Sequence, residues 1–262
     1  MNHDFDIAAE TYDLDFTSSR IGVILRSQVR KYLKQLIDIE NKINILELNC
    51  GTGEDAAYMS DFGHNVIATD ISKEMIRVSK DKHSKTPVVF RQQDITKLSS
   101  TVFQQKFDLI FSNFGGFNCL SKNELLAFLE TAPSLLNESG KLVLVLMPKH
   151  TLWEQIYFNV RGEAKKAKRR KTNSFAIANV QGANVKTWYF NPSDINKNST
   201  HFNVKKTKPI GLWVPPSYLE KSILGKKSIL NILKGLDHFF NWSFLSKYAD
   251  HFYIELEKKN TI

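Results

Sequence analysis

The sequence predicts an α/β fold with a doubly wound sheet, mostly parallel, an antiparallel last strand, and a helical and aromatic cap. Two observations support this prediction. Short apolar runs alternate with helical patterns through residues 41–148, which is the rhythm of strand–helix–strand units. Three of these runs are almost continuously apolar, as expected for parallel strands that helices cover on both faces.

The predicted elements follow one another in a regular order. Before the first strand, the apolar residues of Ile21–Ile39 recur near helical spacing. The strands are predicted at Ile43–Leu48, Asn65–Asp70, Pro87–Gln92, Phe107–Ser112 and Lys141–Met147. Helices are predicted between them at Glu54–Asp61, Ser72–Lys82 and Ser121–Leu136. Ser72 and Ser121 are expected to be N-caps, because a serine oxygen can accept bonds from the free amides of a first turn.

The rhythm changes after Met147. A helix is predicted at Leu152–Val160, and strands at Val185–Phe190, His201–Val214 and His251–Lys259. We interpret the chain as one domain, residues 1–262, with an N-terminal arm and helix (1–40), a core (41–148) and a cap (149–262) woven with the last sheet strands.

The composition favours a globular protein inside the cell. The chain has 262 residues, 42% of them apolar, which is enough for a sizeable core. Its two cysteines, Cys50 and Cys119, do not suggest a disulfide framework. The acidic N-terminus does not resemble a signal peptide, and no apolar run approaches the roughly 18 residues needed to span a bilayer. We therefore expect a cytoplasmic protein.

The net charge of +9 is concentrated in a basic run, residues 161–171. Such a run can bind nucleic acid, an acidic substrate or an anionic membrane surface, but a solvated loop is the simpler interpretation. The sequence has no zinc-ligand spacing and no recognisable nucleic-acid-binding motif. Nucleic acid is therefore a disfavoured partner, and peripheral membrane contact stays open.

A glycine turn and two acids mark three successive strand ends. Residues 51–56 match the pattern G-x-G-x-x-G/A, which alone also describes a ligand-free turn. Asp70 ends the second strand 17 residues after Gly53, where a carboxylate can accept both hydroxyls of a ribose. Asp94 follows the third strand and can accept a bond from an adenine amino group. Together they predict a site for an adenosine-containing cofactor.

The stretches ILELNCGTG, IATDIS, QQDI and FDLIFSNFGGFN resemble the ordered motifs of class I S-adenosylmethionine-dependent methyltransferases of the small-molecule type, which have a Rossmann-like fold. The resemblance covers about residues 40–148 and makes 41–148 the cofactor-binding core of a single methyltransferase domain. It implies that S-adenosyl-L-methionine is the cofactor. The residues it assigns to that cofactor are Tyr12, Glu47, Asn49, Gly51, Gly53, Asp70, Ile71, Met75, Asp94, Ile95 and Asn113.

The resemblance also implies a role for each of these residues. Glu47 through Gly53 would cradle the methionine part, beside Asn113, and Asp70 would bind the ribose. Asp94 and Ile95 would meet the adenine. The remaining implied contacts are Ile71 and Met75 flanking the adenine ring and Tyr12 closing over the cofactor. Asn49 stands where the family usually has glycine, and we expect asparagine to tolerate the backbone angles of that position.

The acids around the turn favour this cofactor over a nicotinamide dinucleotide. Glu54 and Asp55 open the next helix, where they suit the helix dipole but would repel a pyrophosphate. Glu47 within the strand suits a ligand with ammonium and sulfonium charges. A nicotinamide-dependent oxidoreductase is therefore the weaker interpretation.

The acceptor is expected beyond the carboxyl ends of the strands. His150 follows the fifth strand and is a weak candidate for a general base; Asn118 is a candidate to orient an acceptor, or to stabilise its own turn. His251, on a predicted strand, is expected to be structural. The other histidines show no metal-ligand spacing, so no metal is predicted.

Aromatic residues of the cap are the clue to the substrate. We expect some of them to line a pocket and the rest to form core; the candidates are Trp213, Tyr218, Phe239, Phe240, Trp242, Phe244, Tyr248 and Phe252. An aromatic pocket favours O-methylation of a small apolar or aromatic acceptor. Two alternatives stay open: an RNA methyltransferase that uses the basic loop 161–171, and a non-catalytic binding module on the same fold.

Overall fold

The computed structural model describes residues 4–6, 9–10, 12–180 and 183–259. Parts of the predicted arm, residues 1–3, 7–8 and 11, lie outside them. Within the described residues, one sheet contains the strands β1 (Asn44–Leu48), β2 (Asn65–Asp70), β3 (Val89–Gln92), β4 (Phe107–Ser112), β5 (Leu136–Leu146), β8 (Phe202–Ile210) and β9 (His251–Lys258). A separate antiparallel hairpin contains β6 (Ala176–Val180) and β7 (Ala183–Thr187).

The strand order in the main sheet is β3-β2-β1-β4-β5-β9-β8. Strands β1 to β5 are parallel, and β9 runs antiparallel to both β5 and β8. This confirms the predicted doubly wound, mostly parallel sheet with an antiparallel last strand. The order reverses between β1 and β4, and an open α/β sheet binds ligands beyond the carboxyl ends of the strands at such a point.

Helices cover both faces of the sheet. Their bounds are α1 (Arg20–Ile37), α2 (Glu54–Ser60), α3 (Lys73–Lys82), α4 (Lys122–Leu135), α5 (Leu152–Val160), α6 (Ala164–Ala167), α7 (Pro192–Asn198) and α8 (Lys227–Phe239). The Ser72 side chain caps α3, and Ser121 forms a capping box with Glu124 on α4, as the sequence predicts. Pro133 lies inside α4, which ends two residues later at Leu135.

The core consists of two apolar layers, one on each side of the sheet. Successive strand residues point to opposite faces, so Ile45 packs with α1 and α2 while Leu46 packs with α4. The α1 layer is sealed by residues at helical spacing, including Leu25, Val29 and Leu33, all fully buried. These layers fix the strands in place, and polar side chains at the carboxyl ends of the strands are left outside the apolar layers.

Three predicted strands have a boundary that was wrong by three or more residues. Strand β5 begins at Leu136 instead of Lys141, because Leu136 pairs with Phe107 ahead of a register shift. The predicted strand at Val185–Phe190 lies in the hairpin and stops at Thr187, since the amides of Trp188 and Phe190 donate to loop carbonyls. Strand β8 ends at Ile210, because Gly211 takes a φ of 67°. None of the helices in the described ranges has the length and apolar character that crossing a membrane requires.

Candidate cofactor and acceptor site

The turn after β1 uses three residues in the left-handed region. Asn49, Gly51 and Gly53 have φ angles of 56°, 52° and 84°. A Cβ on Gly53 would lie 2.8 Å from Phe90, whereas a Cβ on Gly51 would meet only Tyr12, at 4.0 Å. Gly53 is therefore required by packing, and Gly51 keeps the backbone open to a ligand. Asparagine adopts the left-handed angle at position 49, as predicted.

Asp70 ends β2 and holds this turn in place. Its Oδ2 accepts a hydrogen bond from the Gly51 amide at 3.0 Å, and its Oδ1 accepts one from the Ser72 amide at 2.9 Å. Burial raises the pKa of the Asp70 carboxyl, although the two amide bonds oppose the shift. Each oxygen keeps a second lone pair, so Asp70 retains the capacity to accept bonds from ligand hydroxyls.

Glu47 is a buried acid on β1 whose Oε2 has no hydrogen-bond partner. Burial, followed by the charge of Asp55, raises the pKa of Glu47 well above its usual value. The side chain lines a recess of about 30 Å³ behind the turn. An unpartnered carboxyl at a recess fits a ligand that brings a positive charge, because pairing would offset the cost of its burial.

Asp55, in the first turn of α2, is also buried but is fully paired. Its carboxylate lies 3.4 Å from Nη1 of Arg26 and 3.0 Å from Nε of Arg30, and it accepts a bond from Nδ2 of Asn113 at 2.8 Å. Burial opposes ionisation, yet the two guanidinium groups hold the pKa of Asp55 below its usual value. The expectation that Asp55 presents a repelling charge to a pyrophosphate is therefore wrong, since two arginines offset it.

A cavity of about 120 Å³, here called the turn cavity, opens beyond the glycine turn. It brings together seven of the residues predicted from sequence: Tyr12, Asn49, Gly51, Asp70, Ile71, Met75 and Asn113. Five of its lining residues also bound the recess that holds Glu47: Tyr12, Asn49, Gly51, Asn113 and Phe114. The predicted cluster is thus one continuous site at the carboxyl edge of β1, β2 and β4.

Asp94, Ile95 and Gly53 are not among the residues that line the turn cavity. The Asp94 carboxylate accepts bonds from the amide and hydroxyl of Thr96, at 2.9 and 2.7 Å, and so caps its own short turn. Burial opposes ionisation there, but the bonds from Thr96 lower the pKa of Asp94. Gly53 instead packs closely against the ring of Phe90.

A second cavity of about 350 Å³, here called the outer cavity, adjoins the first. The two share the walls formed by Phe5, Tyr12, Phe114, Gly115 and Cys119. The far wall comes from the cap, and carries Tyr189 and Tyr218 together with the charged side chains Glu154, Arg169, Arg170, Asp250 and His251. Apart from Tyr218, the sequence analysis did not assign these cap residues to a site.

The charged wall of the outer cavity is a buried ion network. The Arg170 Nη2 donates to Glu154 at 2.7 Å and to the Asp250 carboxylate at 3.0 Å, and all three residues are at most 5% exposed. Arg169 adds two bonds to Glu154, at 2.8 and 2.6 Å. The basic run is therefore not a solvated loop throughout, because two of its arginines turn inward to pair with these acids.

His251 lines the outer cavity and contacts Phe114, a residue of the wall that the two cavities share. Its Nδ1 lies 3.1 Å from Oδ2 of Asp250, close enough for an ion pair but not aligned as a hydrogen bond. Its ring meets the edge of Phe114 at 5.4 Å, and Phe114 lines both cavities. Burial opposes ionisation of Asp250, but His251 and Arg170 together hold its pKa far below the usual value. The prediction that His251 is only structural did not anticipate this position.

The other acceptor-side candidates lie elsewhere. Asn118 is fully buried, and its amide bonds the carbonyls of Met147 and Trp188, so it joins loops as the turn-stabilising alternative describes. His150 lines neither cavity; burial and the neighbouring charge of Lys171 lower its pKa. Most aromatic candidates of the cap also line neither cavity, since Phe252 is core and Phe239, Trp242 and Phe244 are exposed.

Comparison with known proteins agrees with this geometry. Residues 45–140 match the family described as a methyltransferase domain. The chain is 33% identical over 157 residues to malonyl-acyl-carrier protein O-methyltransferase 2 of Ilyobacter polytropus, covering 59% of this chain and 56% of that protein. The chain thus spans about half the length of the curated relatives it matches.

Two solved structures share the fold. One is the magnesium protoporphyrin IX methyltransferase of Synechocystis with bound S-adenosylhomocysteine (TM-score 0.59, 15% identity, covering 91% of this chain and 85% of that one). The other is the complex of DhpI with S-adenosylhomocysteine (TM-score 0.60, 16% identity, covering 98% and 94%). The motifs at the strand ends and the domain matched over residues 45–140 resemble those of class I S-adenosylmethionine-dependent methyltransferases, and the two solved structures show the same fold.

Proposed function

We propose that this protein transfers the methyl group of S-adenosylmethionine to an oxygen of a small acceptor. The observation that carries the proposal is the common wall of the two cavities, built from Tyr12, Phe114, Gly115 and their neighbours. Methyl transfer needs the donor and the acceptor in line and in contact, in a site closed to water. Two adjoining cavities meet this requirement, because the glycine turn lines one of them and the other is left for the acceptor.

The residues of the turn cavity fit the cofactor. From the adjoining recess, Glu47, whose Oε2 has no hydrogen-bond partner, would face the ammonium group of the methionine part, and Asp70 would accept the ribose hydroxyls. The open backbone at Gly51 leaves room for close approach. When bound, the cofactor's sulfonium would supply an electrophilic methyl group; the acceptor atom would bond to this methyl carbon and S-adenosylhomocysteine would leave.

The outer cavity suits an acceptor with an apolar or aromatic body and an oxygen function. Phe16, Phe114 and Tyr218 offer aromatic rings, while His251 and Asp250 offer polar groups. The relative from Ilyobacter polytropus is named as an O-methyltransferase, which supports oxygen as the accepting atom. A small molecule fits the cavity volume of about 350 Å³.

We propose His251 as the general base for a hydroxyl acceptor. Asp250 faces Nδ1 of its ring at 3.1 Å, which leaves Nε2 to take the hydroxyl proton as the new carbon–oxygen bond forms and the sulfur–carbon bond breaks. The charge of Asp250 would stabilise the resulting imidazolium. The Phe114 edge at 5.4 Å would hold the imidazole plane toward the shared wall.

The basic segment gives little support to an RNA acceptor. Arg169 and Arg170 bind Glu154 and Asp250 within the protein, so they are not presented to a phosphate backbone. Lys166 pairs with Glu163, and the remaining exposed lysines of 161–171 are few for a phosphate-tracking surface.

The test is an acceptor search with label transfer. The protein is incubated with S-adenosylmethionine carrying a labelled methyl group and with a cell extract separated into small-molecule and RNA fractions. We expect label in a small molecule, as a methyl ether or ester, with the wild type but not with Asp70→Asn. Label found in RNA, or no label in any fraction despite cofactor binding, would contradict the proposal.

A further inference from the structure

We propose that five contacting aromatic side chains of the cap dock this protein onto the surface of an anionic lipid bilayer. We call them the aromatic surface; they are Trp213, Phe239, Phe240, Trp242 and Phe244. This surface is separate from both cavities, and its role is independent of the proposed methyl transfer.

The aromatic surface is continuous. Phe240 lies 5.6 Å from Trp213, 5.1 Å from Phe239 and 5.6 Å from Trp242, measured between ring centroids. Trp242 then stacks on Phe244 at 5.9 Å. Ring contacts at these distances stabilise one another, so the five residues form one patch instead of scattered surface side chains.

The rings are left in solvent. Phe239 is 70% exposed, Phe244 65%, Trp242 48% and Trp213 39%. On α8, Ile232 adds a further apolar side chain that is 66% exposed. Large aromatics dominate cores because they bury so much apolar area, and a contiguous exposed group marks an interaction surface.

The fold holds this patch in place. The Asp237 carboxylate, on α8, accepts bonds from the Trp213 and Val214 amides at 2.7 and 3.3 Å. Lys208 also donates to the Asn241 carbonyl at 3.0 Å. The end of α8 is therefore tied to the segment after β8, and the rings are presented by a fixed scaffold.

The charges around the patch identify the partner. Residues 217–247 contain five lysines, all exposed: Lys221, Lys226, Lys227, Lys234 and Lys247. The two acids of the same segment are engaged with main-chain amides, Glu220 with those of Arg20 and Ile21, and Asp237 as described above. The outward charge of the segment is thus positive.

Exposed rings beside lysines complement an anionic bilayer. Tryptophan is enriched at the level of the lipid headgroups, and phenylalanine on an apolar helix face inserts at the acyl boundary. Lysines near the surface add attraction to anionic lipids within the range set by salt screening. An apolar patch on a segment with this outward positive charge therefore matches an anionic lipid surface, and α8 would lie in its plane.

The experiment is co-sedimentation of the full chain with vesicles of phosphatidylcholine alone, or of phosphatidylcholine with about 30% phosphatidylglycerol. We expect binding to the anionic vesicles that falls with added salt. The double variant Phe239→Ser, Phe244→Ser should bind about tenfold or more weakly, because both rings lose their insertion. Val89→Ser, a similar exposed apolar change on edge strand β3, is the matched control and should bind as the wild type does.

A second variant keeps the aromatic surface intact. Lys227→Gln with Lys234→Gln should weaken binding to anionic vesicles by roughly fivefold for each lysine removed. Thermal melting checks that every variant is folded, as expected for substitutions of exposed residues. Failure of the wild type to bind the anionic vesicles, or binding that the Phe239→Ser, Phe244→Ser change leaves unaltered, would overturn the proposal. So would a wild-type dimer that these two changes dissolve without any vesicle binding.

Discussion

The carboxylate of Asp70 accepts a hydrogen bond from the Gly51 amide at 3.0 Å, so the acid that ends β2 fixes the turn that follows β1. The same side chain lines the turn cavity. One residue therefore shapes the backbone of the site and faces its ligand. A change at this position has two consequences, and they can be measured separately.

Asp70→Asn should weaken S-adenosylmethionine binding by about tenfold or more, since each lost charged hydrogen bond is worth roughly 1.5–3 kcal/mol. An amide keeps the shape but offers one oxygen instead of two, so either the Gly51 bond or the ligand contact is lost. Calorimetric titration with the cofactor gives the affinity. Asp61→Asn, an exposed acid just after α2, is the matched control. Equal affinities for the two variants would contradict a role of Asp70 in the site.

Glu47→Gln tests the unpartnered acid behind the turn. In the free protein the raised pKa of Glu47 means that its proton is bound more tightly in the folded than in the unfolded state. The stability this gives is present below the usual glutamate pKa and is lost as pH rises toward the raised value. Denaturant titration at several pH values should therefore show the wild type losing stability relative to Glu47→Gln as pH increases.

The contribution of Glu47 to cofactor affinity should rise with pH, whereas its contribution to stability should fall. The ammonium group of the cofactor is proposed to pair with the ionised carboxylate, so wild-type affinity should rise with pH through the raised pKa of Glu47. Glu47→Gln should bind more weakly and lose this dependence. A wild-type affinity that is flat with pH, or a Glu47→Gln affinity equal to the wild type, would remove Glu47 from the ligand contacts.

Asn49→Gly tests the departure from the family's usual glycine. The backbone angle at position 49 is left-handed, which glycine adopts freely, while the Asn49 side chain donates one long hydrogen bond of 3.4 Å to the Ser112 hydroxyl and packs against Gly116. Cofactor affinity should stay within about threefold of the wild type or improve. Calorimetry decides the matter, since a large loss would mean that the amide of Asn49 is itself a ligand contact.

The outcome at the strand ends shows what the sequence can predict. Asp70 and the glycine turn are set by local rules, because parallel strands bring their carboxyl ends to one edge. Asp94 also follows the end of a parallel strand, yet its carboxylate accepts hydrogen bonds from Thr96. This pairing depends on the geometry of the loop, which the residue pattern does not predict. The prediction that the cap aromatics line a pocket or form core failed for a different reason. Apolar character does not say whether a ring faces a cavity, the core or solvent.

The position of His251 in the wall of the outer cavity could have been inferred from the sequence. An antiparallel last strand begins at the edge where the parallel strands end, so its first residue must lie beside the site. The register confirms this geometry, with Phe252 opposite Leu146 on β5. Glu154 and Arg170 had no comparable signal, because their approach depends on how the cap folds over the sheet.

His251→Gln tests the proposed base once an acceptor is known. The rate of methyl transfer should fall by roughly 10²–10⁴-fold, the usual contribution of a general base, while cofactor affinity stays unchanged. His150→Gln is the control, because His150 lines neither cavity. A hydroxyl acceptor methylated equally fast by His251→Gln would exclude the role.

Arg170→Met tests the interior role of the basic segment. Removing the guanidinium leaves Glu154 and Asp250 buried with less compensation, and loss of one partner from such a network costs about 3–5 kcal/mol of stability. Lys168→Met removes an exposed charge two residues away and should change stability by less than about 0.5 kcal/mol. Chemical denaturation measures both. If the two variants are equally stable, the ion network does not hold the cap onto the sheet, and the basic segment regains its place as a candidate surface for anionic partners.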